Sequence, residues 1–320
     1  MKVITLGEIL VEIMRPNLDV PLFKRGEFKG PYPSGAPAIF IYNLASLGHE
    51  TGIISKVGID SFGKNCLDHL SKKTIDLHAV RTSTLPTGIA FVTYNSDGSR
   101  DFLFHIDNTA CGEIEQNDLD EEFIKGFDWL HLNGSSLTIN EKVRDLAIAA
   151  AKLIKSNGGT LSFDPNIRPE LLSDKDMQFI DELLPLCDYV MPSEGEELTI
   201  TGLNDRTEAI EKLFQTGVKK VFLKLGKEGS ILYRPDHSIY ARGFKINEVD
   251  PTGAGDSYCA GVVCGLIHKW EDEKILKFAN AVGAMATQSF GPMELEFNET
   301  TVWEFINHHH NKNLMTTTKK

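Results

Sequence analysis

The sequence predicts an α/β fold: a central, mostly parallel sheet with helices on both faces, a three-layer α/β/α arrangement, and a small β lid. Three observations carry this. From Trp129 onward, short strand-like runs alternate with longer helical stretches, the rhythm of βαβ units. Two β-rich segments, 10–34 and 86–108, break that rhythm and read as one inserted unit over the sheet's ligand edge. Finally, 320 residues with 41 % hydrophobic and 24 % charged side chains bury a large core without disulfide or metal staples.

Taken in order, Val3–Leu6 is a short apolar run ending at Gly7, a buried strand running into a turn. Between Leu10 and Gly35, Pro16, Pro21, Gly26, Gly30, Pro31 and Pro33 punctuate short apolar pieces, which suits hairpin or edge strand better than helix. Ala36 to Leu47 has helical apolar spacing, stopped by Gly48. Thr51–Val57 reads as a strand and Cys66–Lys73 as a helix. Thr87–Asn95 and Arg100–His105 flank Ser96-Asp97-Gly98-Ser99, a hairpin signal. The regular alternation follows: strand Trp129–Leu132, helix Glu141–Ser156, strand Thr160–Asp164, helix Lys175–Leu184, strand Tyr189–Pro192, helix Thr207–Thr216, strand Lys220–Leu225. The expected division is a large α/β domain over 1–9, 35–85 and 109–310, a lid over 10–34 and 86–108, and a flexible tail over 311–320. His308, His309 and His310 read as part of a polar, frayed end rather than as a metal site.

The net charge of −12 argues against duplex nucleic acid and anionic membranes as partners, because both recruit basic surface. Five scattered cysteines (Cys66, Cys111, Cys187, Cys259, Cys264) contain no CxxC pair and read as reduced and buried, which suits a cytoplasmic location. Glu8 and Glu12 interrupt the apolar N-terminus, so it does not read as a signal peptide, and no run reaches the roughly 20 apolar residues of a membrane span.

Two glycine loops compete as phosphate sites. Gly58-Ile59-Asp60-Ser61-Phe62-Gly63-Lys64-Asn65 nearly matches a P-loop, but Asn65 replaces the magnesium-binding hydroxyl and Asp60 brings negative charge into the loop. It reads as a strand-to-helix turn. The second is Asp250-Pro251-Thr252-Gly253-Ala254-Gly255-Asp256, followed by an apolar, small-residue helix. Gly253, Ala254 and Gly255 present almost no side chain, so their N–H groups can converge on an anion at a helix N-terminus. Asp256 then falls in the first helical turn beside that anion site.

The segment DPTGAGDSYCAG resembles the C-terminal signature of the ribokinase-like (PfkB) carbohydrate kinases. Further marks lie in order along residues 2–295: Gly7-Glu8, Ser34-Gly35-Ala36-Pro37-Ala38, Asn43 to Gly48, Val57-Gly58 with Asp60 and Gly63, Asp164-Pro165-Asn166-Ile167-Arg168, Leu225-Gly226 with Gly229, and Asn280 to Ala284. The resemblance implies a ribokinase-like fold that uses ATP and Mg²⁺ to phosphorylate the primary hydroxyl of a sugar. In that likeness Asp256 is the base and Gly253, Ala254 and Gly255 form the anion hole. Ser193, Lys224, Gly226, Gly229 and Asn280 hold the nucleotide, and Glu196 acts on Mg²⁺ through water. Ser193 stands where the family has Asn. Glu12, Gly35, Ala36 and Arg168 contact the sugar, with Phe91 or His105 as lid walls. Ile39 departs from the family, which has a sugar-contacting Asn there. The likeness also implies a K⁺ site near Asp250, Thr252 and Gly291.

The members most resembled are fructokinase, tagatose kinase and 2-keto-3-deoxygluconate kinase. Phe104-His105-Ile106 lacks the Arg that many fructokinases and 2-keto-3-deoxygluconate kinases place nearby, and an acid-specific pocket is expected to carry more basic groups because a carboxylate prefers bidentate Arg. That points to a neutral ketohexose, with the sugar acid as the alternative. A nucleoside or vitamin kinase shares the scaffold, whereas the two-piece lid favours sugars. A non-catalytic sugar-binding regulator is disfavoured because Asp256 and the Gly-Ala-Gly loop are both kept. Exposed lid strands further imply a homodimer through the lid.

Overall fold

The computed structural model describes residues 1–97, 99–167, 178–309 and 315–319. The chain begins with β1 (Val3–Leu6), enters the lid through β2 (Leu10–Met14) and β3 (Lys29–Ser34), and returns at α1 (Ala36–Ser46). Then come β4 (Thr51–Gly58), α2 (Ser61–Leu70), β5 (Ile75–Asp76) and β6 (Val80–Ser83), before β7 (Gly88–Tyr94) and β8 (Arg100–His105) complete the lid. Next are α3 (Glu121–Lys125), β9 (Trp129–Asn133), α4 (Gly134–Leu137), α5 (Glu141–Ser156), β10 (Thr160–Asp164) and α6 (Gln178–Leu183). β11 (Tyr189–Val190), α7 (Glu196–Thr201), α8 (Arg206–Gln215), β12 (Lys220–Lys224), β13 (Gly229–Tyr233) and β14 (His237–Arg242) follow. The last elements are α9 (Ala254–Ile267), α10 (Asp272–Ala286), α11 (Glu299–His308) and β15 (Met315–Lys319).

The central sheet runs β15-β14-β13-β12-β11-β10-β9-β1-β4-β5, with β6 also paired to β4. Neighbours from β5 to β12 are parallel. The β12 to β15 edge is an antiparallel meander. The strands are apolar on both sides because helices cover both faces. Adjacent residues therefore enter different cores: Ile53 belongs to the core that also holds Phe40 and Val262, Ile54 to the one that holds Leu146 and Leu213. α1 is buried all along Pro37 to Ala45, and α9 all along Asp256 to Gly265. A helix apolar on every side must be enclosed; α9 is packed against α10 and α1. Gly261 permits the α9–α10 contact, since a Cβ there would lie 2.7 Å from Ala279 Cα.

Both lid segments join one sheet, ordered β3-β2-β7-β8. β2 and β7 run parallel; the outer pairs are antiparallel. One expectation fails at the C-terminus. Within the segment 311–320, read as a flexible tail, Met315–Lys319 forms β15 and pairs with β14. An edge strand presents unpaired N–H and C=O groups, and the chain end supplies their partners. Among the described residues no helix is long and apolar enough to cross a membrane, and all five cysteines are buried and free.

The loop at Gly58 is a turn, as expected. Asp60 Oδ1 accepts from the N–H groups of Phe62 (3.0 Å) and Gly63 (2.8 Å) and from Thr87 Oγ1 (2.8 Å), and its Oδ2 accepts from Thr87 N–H (2.7 Å). Burial opposes its ionisation, but these bonds outweigh burial and hold Asp60 below the usual carboxylate range. A carboxylate thus caps α2 at the place a phosphate would need.

Candidate active site

The carboxyl ends of the parallel strands form a crevice, where α/β sheets bind ligands. Asn133 ends β9, Asp164 ends β10 and Lys224 ends β12, while Glu8 follows β1. Gly253 caps α9 at φ 76°, a left-handed conformation that suits glycine. A Cβ there would lie 2.6 Å from Pro292 Cβ and 3.1 Å from Ile39 Cγ2, so space as well as φ demands glycine. Asn43 of α1 donates to Ser257 Oγ at 2.7 Å, which anchors the start of α9.

Two cavities meet at this helix end. The smaller, about 210 Å³, lies under the lid. The larger, about 560 Å³, lies between the β12–β14 meander and the α9–α10 pair. Arg100, Ser193, Lys224, Pro251 and Gly255 line both, and so mark their seam. This geometry suits a reaction in which a group passes from one bound molecule to another across a helix N-terminus.

Asp256 is 7 % exposed and lines the smaller cavity. The amides of Asn133 and Asn166 each approach its Oδ1 at 3.4 Å. Lys224 Nζ meets Asp164 Oδ2 at 2.6 Å in a buried ion pair. Burial alone would lower the lysine pKa; the charges of Asp164 and Glu196 overcome that and hold it above its ordinary value. Glu196 accepts from the N–H groups of Ile167 and Ser193, both at 2.7 Å. Burial, then the neighbouring Asp164, raises its pKa. Because both Glu196 oxygens already hold backbone, the residue can reach a cation at the seam through water.

Most of the expected residues come together here. Glu12, Gly35, Ala36, Ile39, Ser193, Glu196, Gly253 and Asp256 line the smaller cavity. Ser193, Lys224, Gly226, Gly229, Ala254, Gly255 and Asn280 line the larger. The amide of Asn280 is engaged with the protein: Nδ2 donates to the Ala241 carbonyl (3.0 Å) and Oδ1 accepts from Ser230 (2.9 Å). Gly35, at φ 109°, owes its identity to backbone as well as cavity, because a Cβ would lie 2.3 Å from the Glu8 carbonyl. Asp250 lies near Thr252 and Gly291 as expected: Oδ1 accepts from Thr252 N–H (3.0 Å) and Tyr94 Oη (2.8 Å), and Oδ2 from Gly291 N–H (3.0 Å). Arg168 falls outside the described residues.

The lid walls need correction. Phe91 and His105 do not line the cavity; Ala90, Phe102, Phe104 and Ile106 do. Side chains alternate along a strand. Ala90 opposes Phe104 on the cavity side, and Phe91 opposes Leu103 on the other. Phe91 packs there edge-on to Phe28 at 6.1 Å and to His105 at 6.4 Å. The missing basic residue is also present: Arg100, at the start of β8, lines both cavities, with Nη1 3.5 Å from Thr252 Oγ1. Sequence reasoning passed over Arg100, Asp164, Asn133 and Glu8 as site residues. Glu8 is buried between Ser135 (3.1 Å) and Ser136, and burial raises its pKa. Position at the carboxyl end of a strand was the available signal for Glu8, Asn133 and Asp164.

Comparison with known proteins agrees with this geometry. The pfkB family carbohydrate kinase model matches residues 2–298. Fructokinase-1 of Zea mays is 30 % identical over 95 % of this chain and 97 % of its own. A 2-dehydro-3-deoxygluconokinase of Bacillus subtilis is 27 % identical over 82 % of each chain. An E. coli protein assigned as a ribokinase II, solved in complex with ATP and Mg²⁺, is 39 % identical, superposes with a TM-score of 0.90, and is matched over 96 % of this chain and 99 % of that one. The chain belongs to the pfkB family of carbohydrate kinases and is an ATP-binding phosphotransferase that acts on a sugar.

Proposed function

We propose that the enzyme transfers the γ-phosphoryl group of ATP to a primary hydroxyl of a neutral ketohexose, fructose- or tagatose-like. The observation that carries this is the charge of the smaller cavity. Glu8, Glu12, Asp164, Glu196 and Asp256 line it, against Arg100 and Lys224. Lys224 is already paired with Asp164. A polyol satisfies carboxylates by donating hydroxyl hydrogens, whereas a sugar carboxylate would meet repulsion in a desolvated space.

In this reading the nucleotide occupies the larger cavity and the sugar the smaller, with the γ-phosphoryl group at the seam. Asp256 orients the hydroxyl and takes its proton as the new O–P bond forms. The bond from Pγ to the bridging oxygen breaks, and ADP leaves. The N–H groups of Gly253, Ala254 and Gly255, with the positive end of α9, stabilise charge on the equatorial oxygens. Arg100 adds a cation at the same place, and the lid excludes water that would hydrolyse ATP. Asp164 and Glu196 are the acidic groups that would hold Mg²⁺ there, Glu196 through water, and the ion would supply positive charge against the phosphate oxygens. The oxygens of Asp250 and Thr252, and the neighbouring backbone at Gly291, are the donors on which a K⁺ site would draw.

The test is ADP release, by a coupled assay, over a panel of ketohexoses and sugar acids. The expected result is kcat/KM at least about tenfold higher for a ketohexose, since one unfavourable buried charge contact exceeds 1.4 kcal/mol. Preference for 2-keto-3-deoxygluconate would replace this reading with the sugar-acid one, which the Bacillus subtilis relative supports.

The lid also supports a homodimer. Its free edges are β3 and β8. Phe23 (81 % exposed), Leu18 (57 %), Leu103 (45 %) and Phe28 (42 %) give the lid region exposed apolar surface. Light scattering at micromolar concentration is expected to give twice the 35.6 kDa chain mass, and Leu103→Arg to halve it. A monomeric wild type would refute the dimer.

A further inference from the structure

At the end of α9 remote from Gly253, three ligating side chains converge. His49 lies just after α1, and Cys264 and His268 are four residues apart at the end of α9. That spacing puts both on one helix face. One ligand atom from each of the three lies within 4.8 Å of the others. Tetrahedral Zn²⁺, with bonds of about 2.0–2.3 Å, sets its ligands roughly 3.5 Å apart, so side-chain rotations of about 1 Å close the group.

Several observations point to an ion rather than coincidence. His49 Nε2 is buried and has no hydrogen-bond partner. Such a nitrogen costs free energy that a metal would recover. His268 Nε2 meets Glu299 Oε2 at 3.3 Å, the carboxylate–imidazole contact that orients metal-bound histidines.

We propose that His49, Cys264 and His268 form a site for a borderline-soft divalent transition metal, Zn²⁺ by its donor set, with Glu299 orienting His268 and solvent in the fourth position. The site lies roughly 20 Å along α9 from the anion loop, by helical rise. It is separate from the Mg²⁺ of phosphoryl transfer, whose hard oxygen donors differ in kind. A bound ion would join the α1–β4 turn to the ends of α9 and α11.

Co²⁺ alone, titrated into the metal-free full chain, is the probe. The expected result is one tightly bound ion per chain with thiolate-to-cobalt charge-transfer absorption, displaced by Zn²⁺. Cys264→Ser should remove that absorption, and His49→Asn and His268→Gln should each weaken binding by about tenfold or more. Unchanged ATP-dependent sugar phosphorylation in the exposed-position variant His268→Gln reports intact folding. Absence of charge-transfer absorption in the wild type overturns the proposal. So does binding that survives Cys264→Ser and His49→Asn yet disappears when His308, His309 and His310 become Asn, which would place the ion on the C-terminal histidines.

Discussion

Asp256→Asn is expected to lower kcat by about 10²–10⁴, the range for a lost general base, with ATP affinity within about twofold of wild type. Asparagine keeps the size and the position in the first turn of α9, so Gly253 stays in its left-handed conformation. What is lost is the acceptor for the hydroxyl proton. The change also removes a negative charge near a helix N-terminus, a cost of about 0.3–1 kcal/mol to folding. Thermal unfolding should therefore move little while turnover collapses. Single-turnover phosphorylation, with nucleotide binding measured separately, separates these effects. Turnover near wild type would remove Asp256 from the role of base.

Lys224→Met is expected to damage both folding and catalysis. Lys224 is 9 % exposed and pairs with Asp164, itself 1 % exposed. Removing the ammonium strands a buried carboxylate, a loss of about 3–5 kcal/mol. Asp164 also has Cys259 Sγ at 3.3 Å and accepts from Asn166 N–H at 3.1 Å, too few neutral donors to replace a cation. The double variant Lys224→Met with Asp164→Asn should recover most of the stability, because no unpaired charge remains. It should not recover activity, since the cation at the seam of the cavities stays absent. Denaturant titration of the single and double variants measures this coupling; strictly additive losses would mean that the pair does not act as a unit.

How legible the site was depends on how local each part is. The anion loop is continuous: Gly253, Ala254, Gly255 and Asp256 lie side by side, so spacing and chemistry could be read together. The lid walls are not local in that sense. A one-residue error in strand facing exchanges Phe91 for Ala90 and His105 for Phe104, and sequence carries no signal for which face the crevice will occupy. Arg100 was missed for a related reason. Its place beside Thr252 depends on how far β8 reaches across the seam, which follows from the β7–β8 register. The family likeness implies a K⁺ site near Asp250; what the fold shows is Asp250 as the acceptor that fastens Tyr94 of the lid and Gly291.

Legible in the sequence were the alternating α/β architecture, the β-rich pieces of the lid, the glycine loop that caps α9 and Asp256 beside it. Each is set by periodicity or by contiguous residues, whose physics needs no distant partner. Only the tertiary structure set the strand order, the β15 pairing at the sheet edge, and which lid face lines the smaller cavity. It also set the acidic balance of the smaller cavity and the convergence of His49 with Cys264 and His268. These depend on side chains brought together from separate parts of the chain, and only packing of both cores around the sheet fixes those distances. The net charge of −12 shows the same division: composition argues against polyanionic partners, but the fold brings Gly253, Gly255, Arg100 and Lys224 to the two cavities that meet at the start of α9.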